Sequence, residues 1–436
     1  MEEASDNYRK ALLLTPDKAE SHSDFGSSLL ELNQIDLAIV LFRQALSLKR
    51  DHAETYSNLG AALAKQGKVD EAIASYRQAL SLKPNLAEAH YNLGNLLRDQ
   101  GAIDAAAECY HNAILYKPDY ADAHNNLGLL FHKQGKLDEA INSFHTAYLN
   151  NAPFAFGMYL HCKICCCNWE DFDDTVHALL ADIDAGKPVS APFVLQAIQS
   201  TPAQQKRCAE KSVQEQFPDI PAASNINNKY SHDKIRLGYF SADFHDHPVG
   251  KLTAELFERH DRSKFEIFGF SYVEANNDSM RQRLNAAFDH FIDIKNQSDQ
   301  EIATLARHLE IDIAIDLTGH TSNTRIGIFA RHPAPIQVKF LGDPGTTGTP
   351  YIDYLVADPT VIPAEHRQHY SEKIAYLPNS YLVNGSHRKM SEHQFTRSEV
   401  GLPDAGFVFC GFNMNFKITP NVFDSWCWRL SNSANK

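Results

Sequence analysis

IRLGYFSADFHDHP (235–248), IDIAIDLTGHT (311–321) and PIQVKFLGDPGTTG (335–348) decide the fold. Each is an apolar run of strand length that ends in a polar loop, with helical patterns between them. The first closes on an Asp/His-rich turn with Pro248 where a helix begins. The second closes on Asp316, Gly319 and His320, the third on a Gly/Thr loop. KFEIFGFSY (264–272) and YIDYLVAD (351–358) add two strands, and helices are expected after 247, over 278–290 and over 299–310. Strands alternating with helices build a mostly parallel sheet covered on both faces. Ligands of such sheets sit beyond the carboxyl ends of the strands, so three polar loops at three strand ends outline one crevice.

The whole chain has 436 residues, 43% apolar and 22% charged, a composition of soluble globular proteins with two or three domains. Its 41 basic and 54 acidic residues leave a net charge of −13, which argues against nucleic acid as a partner. No run of about 18 apolar residues exists, so no membrane span is expected. MEEASDNYRK lacks the basic start and apolar core of a secretory signal. Cys162, Cys165, Cys166 and Cys167 fall within HCKICCC, and reduced thiols fit the cytoplasmic location these features predict. Cys162 and Cys165 have C-x2-C spacing without a second pair to complete a tetrahedral site, so small buried side chains on a helix are expected rather than a metal.

The N-terminal third repeats every 34 residues. Ala19, Ala53, Ala87 and Ala121 fall in phase, as do Phe25-Gly26, Leu59-Gly60, Leu93-Gly94 and Leu127-Gly128, and Ala38, Ala72, Ala106 and Ala140. Pro84 and Pro118 close two of the units. Each unit reads as two amphipathic helices packed closely over small residues, the tetratricopeptide (TPR) pattern. Full units span 19–52, 53–86, 87–120 and 121–154. Residues 1–18 read as a lone second helix, from Ala4, Tyr8, Ala11 and Pro16, so the chain is expected to be cut at its start. Stacked first helices line a concave groove. Asp24, Asn58, Asn92 and Asn126 form a polar column there, suited to holding the backbone of an extended peptide; the plainer reading is a solvated helix face. Helical patterning continues over 155–230 as a bridge, with residues 221–234 as the linker.

Several residues at the strand ends could carry chemistry. His247 precedes Pro248, which puts its imidazole at a helix N-terminus, either as a neutral proton acceptor or as a plain cap. Asp316 and His320 either orient a ring or a hydroxyl, or cap the turn after their strand. Gly345, Thr346, Thr347 and Gly348 offer N–H groups and hydroxyls to a phosphate or sugar. FVFCGFNMNFKITP (407–420) reads as a strand, a loop carrying Lys417, and a helix starting at Pro420, a suitable site for a diphosphate.

SADFHDHP, DLTGHT, RHPAPIQVKFLGDPGTTG, DYLVAD and YSEKIAYLP, in this order behind TPR units, resemble the blocks of the protein O-linked N-acetylglucosamine transferases of glycosyltransferase family 41. The resemblance implies a TPR α-solenoid followed by a GT-B fold, at 231–400 its N-terminal Rossmann-like lobe and at 401–436 the start of the UDP-binding lobe. It implies inverting transfer of GlcNAc from UDP-GlcNAc to Ser or Thr, with no metal and with the TPR groove recruiting the protein acceptor. His247 matches an active-site His, Lys417 a diphosphate contact, and 345–348 a Gly-Thr loop near the active site. Asp343 stands where the family usually has Tyr, and Met414 where a base contact is often Gln. WCWRLSNSANK (426–436) drifts into polar residues, so a truncated second lobe is expected, with weak or no activity alone and an oligomer or complementing chain as partner. A TPR peptide-binding adaptor with a structural α/β lobe, and transfer of a different sugar, stand as alternatives.

Overall fold

A computed structural model describes residues 14–15, 17–217, 230–273, 278–321, 323–386, 392–406, 408, 410–411 and 414–433. The chain divides into two compact units, 1–163 and 164–436. The division falls later than the end of the 34-residue period, and the linker expected at 221–234 lies inside the second unit. Most of that linker, and the half repeat built on Ala4, Tyr8, Ala11 and Pro16, lie outside the described residues.

The first unit is a stack of helix pairs: α1 (Ala19–Glu31) and α2 (Ile35–Leu48), α3 (Ala53–Lys65) and α4 (Val69–Leu82), α5 (Ala87–Asp99) and α6 (Ile103–Tyr116), α7 (Ala121–Lys133) and α8 (Leu137–Leu149). The periodic glycines explain the pairing. A Cβ on Gly94 would stand 2.8 Å from the Tyr110 ring, and one on Gly26, Gly60 or Gly128 would stand 2.8, 3.0 or 2.9 Å from Phe42, Tyr76 or Phe144. Each second helix therefore lays an aromatic ring directly on the backbone of its partner, and Ala38, Ala72, Ala106 and Ala140 of the second helices are fully buried. The turn between the helices needs a positive φ, supplied by Gly67, Gly101 and Gly135, and in the first pair by Asn33.

Helix α9 (Ala155–Cys165) spans the division between the units. Only Cys162 of its cysteine run is deeply buried, against Ala140 and Phe144; Cys166 and Cys167 are exposed beyond the helix end. The expectation of a buried cysteine stripe thus holds for one residue, because the helix stops before the other two can turn inward. The bridge continues as α10 (Phe172–Asp184), α11 (Pro192–Leu195) and α12 (Pro202–Gln216), the last opened by a Thr201–Gln204 capping box.

The rest of the second unit is built on a parallel sheet of seven strands among the described residues: β1 (Ile235–Ser241), β2 (Phe265–Ser271), β3 (His290–Asp293), β4 (Ile313–Asp316), β5 (Ile336–Lys339), β6 (Tyr354–Ala357) and β7 (Lys373–Tyr376). Their order is 3-2-1-4-5-6-7. Helices α13 (Pro248–Glu258) and α14 (Ser279–Ala287) cover one face and α15 (Asp299–His308) with α12 the other. Strands β3 and β7 escaped the sequence reading. The helix expected over 278–290 stops at Ala287 and hands over to β3. At 407–412 no strand forms among the described residues, and Phe407, Phe409 and Phe412 lie outside them. Helix α16 (Pro420–Ser433) starts at Pro420, as its sequence predicts. No helix among the described residues is long and apolar enough to cross a membrane.

Candidate active site

The direction of chain progression in the sheet reverses between β1 and β4, which pair in parallel with Phe240 beside Asp316. The carboxyl ends of these two strands therefore flank the crevice where open α/β sheets hold ligands. His247 follows β1 and His320 follows β4, so both candidate imidazoles are delivered to this end.

Their chemistry differs. The His247 side chain is 40% exposed and caps α13, its Nδ1 accepting the Val249 N–H at 3.3 Å. That bond leaves Nδ1 without a proton and already occupied, and puts the proton on Nε2, so the ring donates outward. Asp243 Oδ1, at 3.6 Å, is too distant for a hydrogen bond. The plain cap is what the geometry shows.

His320 Nε2 lies 2.8 Å from the Thr347 carbonyl oxygen. A carbonyl only accepts, so Nε2 carries a proton, and in the neutral ring Nδ1 is bare. Burial, with help from the Lys339 charge, lowers the affinity of this ring for a second proton. Asp316 beside it is buried and accepts the N–H groups of Thr318 at 2.9 Å and Gly319 at 3.0 Å, the turn-capping alternative. Burial raises its pKa to about 6.

The loop 343–348 is held more tightly than its Gly-rich sequence indicated. Asp343, 4% exposed, accepts four hydrogen bonds: from Gly345 N–H (3.1 Å), His320 N–H (3.0 Å), Lys339 Nζ (3.1 Å) and Gln196 Nε2 (3.1 Å). Lys339, also buried, donates to the Gly345 carbonyl at 2.7 Å. Burial alone would raise the Asp343 pKa, but Lys339 and the donated hydrogen bonds take it below the ordinary carboxylate value. Gly319 leaves room for this pair, since a Cβ there would stand 2.4 Å from Asp343 Oδ2.

Glu372 clasps the other half. It accepts from Thr346 Oγ1 at 2.7 Å, from Thr347 N–H at 2.6 Å and from the Thr347 hydroxyl. The threonine hydroxyls expected to meet a ligand are thus spent on a buried carboxylate. Gly348 lies so close to α12 that a Cβ would stand 2.4 Å from the Ala209 carbonyl carbon. Asp343, Gly345 and Thr346 form one wall of a cleft of about 380 Å³, with Gln196 and Gln205 of the bridge, and His366, His369 and Tyr370, around it. The volume suits a small ligand or a short stretch of chain.

Lys339, Glu372 and Gln196 were missed by the sequence reading. A lysine inside an apolar strand is the one signal that could have pointed to a buried anion. Lys417 is exposed in a short 3-10 turn beside Phe416, which packs on Phe193 of α11. No contact among the described residues joins it to the 343–348 loop.

In the first unit, Asn58 Nδ2 donates to Ser27 Oγ at 3.0 Å and Asn126 Nδ2 to Asn95 Oδ1 at 2.9 Å. Asn92 hydrogen-bonds Tyr76 and Asp24 is exposed. Asn58 therefore staples the second repeat to the first and Asn126 the fourth to the third, a use of the column that the sequence reading did not include.

Comparison with known proteins decides the class. Residues 204–397 match the profile of glycosyl transferase family 41, and residues 26–67, 62–97, 94–135 and 121–150 match TPR profiles. The chain carries a family 41 domain behind a TPR array. The sequence of the chain is similar to the probable UDP-N-acetylglucosamine–peptide N-acetylglucosaminyltransferase SEC of Arabidopsis thaliana, 38% identical over 222 residues, 49% of this chain and 23% of that protein. It is also similar to the UDP-N-acetylglucosamine–peptide N-acetylglucosaminyltransferase of Caenorhabditis elegans, 34% identical over 161 residues, 37% of this chain and 14% of that one. A probable enzyme of the SPINDLY type from Solanum lycopersicum is 30% identical over 208 residues, 47% of this chain and 22% of the relative. The chain thus spans less than a quarter of the length of these curated relatives. Among solved structures, an O-GlcNAc transferase mutant of Thermobaculum terrenum aligns over 95% of this chain and 66% of that one, at 24% identity and a TM-score of 0.46. The family 41 domain contains β1 to β7, His247, His320 and the 343–348 loop.

Proposed function

We propose that the chain acts in the transfer of GlcNAc from UDP-GlcNAc to Ser or Thr hydroxyls of proteins, with inversion. The observation that carries this is the pinned 343–348 loop beside a cleft past the carboxyl ends of β5 and β6, inside a family 41 domain. A loop held by two buried carboxylates does not have to order itself when a substrate arrives. In this reading the TPR array recruits the acceptor polypeptide, and Lys417 with the N-terminus of α16 neutralises the departing diphosphate without a metal. The reaction belongs in the cytoplasm, where three adjacent cysteines (Cys165, Cys166, Cys167) stay reduced.

The test is a calorimetric titration of the full chain with UDP, followed by an assay for sugar transfer to a Ser/Thr peptide. Saturable binding that disappears in Lys417→Ala, with transfer, supports the proposal. Absence of binding by a folded, monodisperse sample refutes a donor site in this chain.

A second reading is favoured by the compactness of the first unit, which has its own continuous core: a peptide-binding adaptor. Peptide binding without transfer, lost when Asn58, Asn92 and Asn126 are replaced by Ala, would support it.

A further inference from the structure

We propose that His320, rather than His247, accepts the proton of the acceptor hydroxyl; this rests on the transferase reading above. A general base must present a lone pair to the hydroxyl. Of the two imidazoles at the switch point, His247 has its bare nitrogen occupied by the Val249 N–H. Freeing that nitrogen means uncapping α13.

His320 has the opposite arrangement. Its Nε2–H is fixed on the Thr347 carbonyl oxygen, and its own backbone N–H is fixed on Asp343. Both anchors belong to the loop that Lys339 and Glu372 hold in place, so the ring cannot readily flip and exchange its nitrogens. Nδ1 has no hydrogen-bond donor among the described residues. It is an unengaged lone pair on a part-buried ring at the carboxyl end of β4.

In the step, the acceptor oxygen bonds to the sugar C1 as the bond from C1 to the diphosphate oxygen breaks. The electron pair leaves with UDP, and the hydroxyl proton passes to Nδ1 of His320 and on to water. The imidazolium formed on the way faces the carboxylates of Asp343 and Glu372, and the ammonium of Lys339 opposes it. This balance keeps the ring neutral between turnovers yet able to hold a proton briefly.

The variant that separates a base from a structural clasp is His320→Gln. Its amide N–H₂ can reach the Thr347 carbonyl as Nε2–H does, while no basic nitrogen remains. In the full chain, with UDP-GlcNAc and a Ser peptide, kcat is expected to fall by about 10²–10⁴-fold. Peptide KM and melting temperature should stay near their original values. Nitrogen-15 spectra of the unaltered chain at pH 7 should show His320 with its proton on Nε2 and none on Nδ1. Undiminished transfer by His320→Gln, or a protonated Nδ1 at pH 7, overturns the assignment. No transfer by the unaltered chain would instead sink the transferase reading, and the assignment with it.

Discussion

Asp316→Asn is expected to stabilise the second unit at neutral pH, because the carboxylate is buried in a place that does not favour its charge. The side chain is 2% exposed, and the bonds it receives come from two backbone N–H groups of its own turn. Burial outweighs those bonds and the more distant Lys339 charge, raising the pKa from 3.8 to about 6. A carboxyl that holds its proton more tightly when folded loses stability on ionising. Below about pH 4 both folded and unfolded forms are protonated and the penalty vanishes; it grows as pH rises towards 6 and is complete above. Two pKa units correspond to about 3 kcal/mol. Asparagine has nearly the same shape and no charge, but one of the two N–H groups is less well served, at roughly 1 kcal/mol. The expected net gain is about 1–2 kcal/mol at pH 7.5 and none, or a slight loss, at pH 4. All three tryptophans, Trp169, Trp426 and Trp428, lie in the second unit, so their fluorescence during urea unfolding reports on it. A lower midpoint at pH 7.5, or the same gain at both pH values, would refute the reasoning.

Lys339 and Asp343 should behave as one unit in a double-mutant cycle read by urea unfolding. Asp343→Asn leaves a buried ammonium without a counter-charge and is expected to cost about 3–5 kcal/mol; Lys339→Met leaves a carboxylate with three N–H donors and costs less; together they should cost less than their sum. Gly94→Ala should lower the melting temperature of the helical unit, read by circular dichroism, because the Tyr110 ring must move from a backbone it already touches, at about 1–3 kcal/mol. Unchanged melting would mean that the ring has room to shift.

The sequence by itself determined the architecture. Four repeats of Gly and Ala positions at a 34-residue spacing describe helix pairs, because the close approach of two helices requires small residues. Apolar runs ending in polar loops described the parallel sheet and the end at which sheets of this kind hold ligands. Strands β3 and β7 were not legible, since four residues at a sheet edge carry too little pattern. Tertiary structure alone decided what each candidate side chain touches. Asp343 is completed by Gln196, which lies 147 residues earlier, and the 346–347 threonines by Glu372, 25 or 26 residues on. No local pattern encodes such partners, since a buried donor takes whichever acceptor the fold brings within about 3 Å. The same holds for the two histidines. In sequence both are imidazoles at strand ends; in the folded chain one has its lone pair engaged by a helix cap, and the other has Nε2 engaged by the Thr347 carbonyl.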